Sequence, residues 1–172
     1  MFDGAGLAEL DVRNGRGAKA SRPFLWLRPI GKSGTAKDMQ REYVIDGAGF
    51  STLEQFYVEI GRVLIPGVGW GENLNAFNDI LRGGFGTPRE GFTLRWRNSD
   101  MSRRSLGYSE TVRQLQAVQK QCHPDSRAHV QLELNLAMEQ VGPTVFDWLV
   151  EIIADHGVGG EEAESRVVLI LE

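Results

Sequence analysis

The closing stretch Val167-Val168-Leu169-Ile170-Leu171 does most to restrict the fold of this chain. It is too short for a helix, and three of its five residues are β-branched, so it reads as a strand. It is apolar at odd and even positions alike. A strand of that kind is expected in the middle of a parallel sheet, with helices on both faces. Two earlier segments carry strand patterns. Tyr43-Val44-Ile45 is one. In the other, Phe92, Leu94 and Trp96 alternate with Thr93, Arg95 and Arg97, which gives one drier face. The segments between these strands are too long for hairpins and carry helical periodicity, so the sheet is expected to be parallel with right-handed crossovers.

The helical segments have readable ends. Ser51-x-x-Glu54 reads as a capping box before a stripe of Leu53, Phe56, Tyr57, Ile60 and Leu64, and Pro66 ends that helix. Residues 109–122 carry Val112, Leu115 and Val118 on one side. Residues 127–140 fit two periods, a strand through Val130, Leu132, Leu134, Leu136 and Met138, or a helix through Val130, Leu134, Ala137, Met138 and Val141. Strong helix formers and a cap at Asp125 or Ser126 favour the helix. A last helix is expected with Pro143 in its first turn, Phe146, Leu149, Val150 and Ile153 inward, and Gly157 at its end. Asp147 and Glu151 lie four apart on its other side.

Between the first helix and the second strand lies the most distinctive stretch. Gly67, Gly69 and Gly71 alternate with Val68 and Trp70, and Asn73 is placed to cap a short helix that Gly83-Gly84 can stop. Leu74, Phe77 and Leu81 fall on one side of that helix. Asn75, Asn78, Asp79 and Arg82 fall on the other, a short-chained polar face able to bond a partner.

Trp70-Gly71-Glu72-Asn73-Leu74, followed by Ala76, Asp79, Leu81 and Gly83, resembles the barstar family, intracellular inhibitors of secreted bacterial ribonucleases. The stretch before the first helix, the Leu94-Arg95-Trp96-Arg97 strand and the closing apolar strand extend the resemblance over roughly 43–172. It implies an α/β fold, β-α-α-β-α-α-β, in which a small parallel three-stranded sheet is packed with helices. Relative to that pattern, the segment between the third and fourth helices is enlarged. It also implies a partner-binding surface of Trp70, Glu72, Asn73, Asn75, Asn78, Asp79 and Arg82, with Asp79 standing where a substrate phosphate would sit in the ribonuclease. Three positions depart from the family pattern. Asn75 stands where a second acid is frequent, Asn78 where an aromatic is frequent, and Gly69 where a second aromatic often precedes Trp70. From Pro66 to Phe92 three acids meet two arginines, a local charge of only −1. The region from Asp147 to the end holds seven acids and one arginine, so Glu151 or Asp147 is a candidate source of further negative field.

The rest of the chain narrows the function classes. With 172 residues it suits one domain, expected over 43–172, preceded by a mostly irregular extension over 1–42. That extension has six glycines, eight Lys or Arg against five Asp or Glu, and one apolar cluster, Pro23-Phe24-Leu25-Trp26-Leu27. Asp3, Glu9 and the lack of an apolar core argue against a signal peptide, and no run is long enough to span a membrane. One cysteine allows no internal disulfide and fits a reducing compartment, and the net charge of −4 argues against direct nucleic-acid binding. Gly31-Lys32-Ser33 lacks the glycine a phosphate loop needs five residues earlier, where Trp26 stands. Cys122, His123 and His129 lack a second cysteine and a carboxylate at ligand spacing. The expectation is a cytoplasmic protein, monomeric when free and without catalysis, cofactor or metal, that binds a secreted or toxin ribonuclease. The alternatives are an immunity protein against another toxin, or a small α/β ligand-binding or enzyme domain using the Gly67–Gly71 loop.

Overall fold

The alternation in Phe92-Leu94-Trp96 sends three large side chains to one face of a strand, and the core gathers on that face. The computed structural model describes residues 41–172; residues 1–40 of the expected extension, with the Pro23–Leu27 cluster, lie outside the described residues, while Arg41 and Glu42, also assigned to that extension, begin the first strand. Strand β1 (Arg41–Asp46) is followed by α1 (Leu53–Leu64) and α2 (Leu74–Leu81), then by β2 (Phe92–Arg97). The second crossover holds α3 (Ser99–Ser105), α4 (Tyr108–Gln121), α5 (Arg127–Met138) and α6 (Val145–Asp155) before β3 (Val167–Leu171). All strand pairs are parallel in the order β1-β2-β3, with Tyr43 opposite Leu94 and Leu94 opposite Leu169. The α/β architecture with one small parallel sheet is therefore as expected.

The place of the last strand is not. β3 is an edge strand, and the middle belongs to β2. Val168 is exposed and Ile170 only half-buried, so an unbroken apolar run did not mean burial on both faces. The middle strand tolerates Arg95 on its outer face because Glu42 of β1 and Glu172, just past the end of β3, flank its guanidinium.

Trp96 is buried at the centre of an aromatic cluster, stacked on Phe56 at 5.4 Å and tilted against Phe146 at 5.1 Å. Its indole N–H donates to Ser102 of α3 at 2.9 Å, so the buried donor is satisfied. Helix α3 went unread because Ser99-Asp100-Met101-Ser102-Arg103-Arg104-Ser105 has no apolar period; it starts beyond Asn98, whose φ of 52° is left-handed. Helices α4 and α5 pair as the enlargement, on a small cluster of Leu115, Leu134 and Ala137. Residues 127–138 are helical, as their helix formers favoured.

Two caps differ from the expected ones. Thr52, not Ser51, caps α1 by accepting from the Gln55 N–H at 3.3 Å, while the Gln55 side chain reaches back to the Ser51 N–H at 2.8 Å. The motif slid by one residue because threonine caps as serine does. Pro143 lies before the first turn of α6; Thr144 is the cap, in a capping box with Asp147. His156 is the C-cap of α6, and Gly157 follows it.

Candidate functional site

Helix α2 is held from inside by Phe77, Ile80 and Leu81, all buried, with Leu74 half-buried against the same core. Burying a phenylalanine or leucine side chain contributes roughly 1.5–3 kcal/mol, so eight residues are anchored by three strong contacts. The helix begins where Asn73 accepts from the Ala76 N–H at 2.9 Å and donates to the Gly71 carbonyl at 3.0 Å. Asn73 thus uses one N–H and its amide oxygen to build the loop and cap. Beyond Arg82 the chain turns through Gly83, at φ 85°, and the Thr87 hydroxyl donates to the Ile80 carbonyl at 2.6 Å.

The loop before α2 is set by Trp70. Its ring meets Tyr57 edge-on at 5.5 Å, and its Nε1 edge lies over Gly61 of α1, where a Cβ would come within 2.9 Å. The indole N–H is therefore turned toward α1. Glu72 is exposed and takes a left-handed φ of 46°.

The polar face of α2 divides in two. Asn75 and Asp79 are exposed, Asp79 with 52% of its side chain accessible. Asn78 is half-buried and turned inward. Its Oδ1 accepts from Nε2 of His156 at 2.8 Å, and its Nδ2 donates to Glu162 at 3.3 Å. Arg82 joins both halves. Its Nη1 donates to Asp79 at 2.6 Å, while Nε and Nη2 donate to the two oxygens of Glu162 at 2.5 and 2.6 Å. The bidentate bond from Arg82 draws the Glu162 carboxyl down to about 2. His156 is fully buried, and burial pushes its imidazole below the ordinary range against the pull of Glu162.

Of the eight residues expected at the site, Trp70, Glu72, Asn73, Asn75, Asn78, Asp79 and Arg82 share the loop and α2. Glu151 stands apart, exposed on α6, and enters no bond of the Asn78–Arg82–Glu162–His156 network. Asp147, the other candidate for a negative field, serves the Thr144 capping box. Sequence reasoning missed Glu162 and His156. Glu162 was one acid in a Gly-rich acidic loop; nothing in its spacing tied it to a helix 80 residues earlier.

Elsewhere the chemistry is sparse. His123 and His129 are exposed, each beside its own acid, Asp125 at 3.3 Å and Glu133 at 3.1 Å. Among the described residues no three His, Cys, Asp or Glu side chains gather as metal ligands. An open depression of about 240 Å3 is lined by the Gly47–Ser51 loop, Gln55, Met101 and Ser105, with no titratable side chain in it.

Fold and site together define a small α/β domain with a bonded polar surface on a helix at the domain's exterior. A family model described as Barstar (barnase inhibitor) matches residues 40–137, more than half of the chain, and the chain belongs to the barstar family. Members of that family are protein inhibitors, and their partner is a ribonuclease. The match contains Trp70 and all of α2 and ends inside α5, so Glu151, His156 and Glu162 lie beyond it. A search of curated proteins finds no match.

Proposed function

We propose that this chain inhibits a ribonuclease by covering its active site with the 67–73 loop and α2, Asp79 taking the place of a substrate phosphate. The observation that carries the reading is the placing of Asp79. Its carboxylate is half-exposed on a helix whose opposite side is locked into the core, so it can enter a basic cleft without any change of fold. Arginines and a histidine in such a cleft would bond it bidentately and with charge assistance. Inhibition is then occlusion, with no chemistry in the inhibitor. Trp70, Glu72, Asn75 and Arg82 border the contact, Asn73 and Asn78 hold it in shape, and Glu151 adds negative field. The inhibitor acts in the cytoplasm and is monomeric when free.

The departures favour one variant of this reading. Asn75 brings no second acid, Asn78 is turned inward, and Arg82 already shares Asp79. A face so nearly neutral suits a toxin whose cleft is less basic than that of a barnase-type enzyme.

The test is stoichiometric inhibition. The purified chain is titrated against barnase and against whatever nuclease it retains from an extract of the source cell, with RNA cleavage as the readout. Full inhibition at one equivalent is expected for the cognate enzyme. Cleavage undiminished at about tenfold excess, for every nuclease retained, would remove the reading.

A further inference from the structure

We infer that Glu162 is a positioning residue of the inhibitory face: it holds the Arg82 guanidinium by two of its three nitrogens and so keeps Asp79 available to a partner. The inference rests on the reading of α2 as that face. Arg82 has Asp79 on one side, three residues earlier on the same helix, and Glu162 on the other, brought by the loop after α6. Glu162 receives both Nε and Nη2, and Asp79 receives Nη1 alone, on Oδ1. The split matters because a guanidinium that met Asp79 with two N–H groups would neutralise it.

Glu162 is itself fixed from behind. Its backbone N–H bonds to the Asp155 carbonyl at 2.8 Å, and Asn78 donates to its Oε1. Asn78 is aligned in turn by His156, which is fully buried and whose Nδ1 has no hydrogen-bond partner and lies 3.8 Å from Glu162 Oε2. A buried imidazole aimed at a carboxylate is a costly arrangement in a loop with no other evident task. Asp79, Arg82 and Glu162 sum to a charge of −1. Without Glu162 the sum is zero, and Arg82 is free to close on Asp79. Glu162 therefore supplies, from the far end of the chain, the second acid that Asn75 does not.

Two measurements on the full chain test this. In the free protein, the Arg82 Nε–H signal in a nitrogen-15 spectrum should exchange slowly, persist in Asp79→Asn and vanish in Glu162→Gln. Exchange as fast as that of exposed Arg104 in the wild type, or loss of the signal in Asp79→Asn but not in Glu162→Gln, would overturn the inference. With barnase as probe, Glu162→Gln should raise the inhibition constant about tenfold, mainly through a slower on-rate. Arg82→Met in that background should bring the constant back to within about threefold of Arg82→Met alone, since no guanidinium remains to capture Asp79. Failure of that recovery, with Glu162→Gln still weak, would make Glu162 a direct contact or a fold residue and refute the positioning role. Asp79→Ala separates the two readings. If it weakens binding and Glu162→Gln does not, only the present inference falls. If neither matters, the proposed function suffers; if the wild type leaves barnase uninhibited, as a less basic cognate cleft would allow, the spectrum decides this one.

Discussion

Two arginine knots, one around Arg113 and one around Arg82, show how burial divides a fold contact from a site. Arg113 of α4 binds Glu110, at 2.7 Å, and Glu54 of α1. Glu110 is only 5% exposed; it also accepts the Leu53 N–H at 2.9 Å and a Gln114 donor at 3.0 Å. All of that carboxylate's capacity goes to joining the start of α1 to α4. Arg82, the C-cap of α2, likewise holds two acids, but Asp79 is ten times more exposed than Glu110 and spends one oxygen on a single N–H. The chemistry is the same and the consequence is opposite. A carboxylate saturated and buried specifies how helices meet, whereas one half-bonded at the surface keeps capacity for a partner.

The comparison breaks most readily at Asp79. Asp79→Ala should raise the dissociation constant for the cognate nuclease at least a hundredfold, about 2.7 kcal/mol, because the partner's cations lose their counter-charge. The melting temperature should stay within about 2 °C, since an exposed pair with Arg82 contributes under about 1 kcal/mol. Calorimetry reads both numbers, and a constant unchanged within about threefold would take Asp79 out of the site.

Glu110→Ala should do the reverse. It strands the Leu53 N–H and the inner side of Arg113, and the expected loss of stability is about 2 kcal/mol, below a fully buried pair because Arg113 is half-exposed. Urea unfolding should show that loss with binding by the folded fraction unaltered. A midpoint matching wild type would mean that the knot is ornamental.

Trp70→Ala lies between the two cases, since Trp70 supports the loop from the Gly61 side. Affinity should fall by roughly 1–3 kcal/mol, with a smaller loss of stability from the vacated Tyr57 contact. Loss of stability alone would assign Trp70 to the core.

The smallest expected effect is on pH. His156 has its folded pKa below its ordinary 6.5 because it is buried, so below that pH the unfolded chain takes up a proton before the folded one does. Its contribution is complete above 6.5 and is lost as pH falls toward the folded value. Glu162, drawn from 4.5 to about 2, contributes above 4.5 and is lost between there and 2. Glu110 and Glu54 are also lowered and follow the same sign. Urea midpoints measured against pH should therefore decline in two stages. His156→Gln should abolish the upper stage and leave the lower; an unaltered upper stage would point to another group.

Local pattern carried the elements that have an apolar period, and their inner faces; α3, which has none, was not legible. Phe77 and Leu81 at helical spacing put the polar side of α2 outward, Asn73 marked its start, and Phe92-Leu94-Trp96 chose the wet and dry sides of β2. These follow from the periods of helix and strand, which neighbouring residues alone express. The order of the strands was not legible in this way. Val167–Leu171 is apolar throughout yet lies at an edge, because sheet order depends on where crossovers land and no strand carries that information in itself. Nor could the inward turn of Asn78 or the clasp of Glu162 on Arg82 be read beforehand. A period tells a side chain whether it faces in or out. Which distant partner it meets is decided when 80 residues of intervening chain fold and close the loop, and that closure leaves no mark on the sequence at either end.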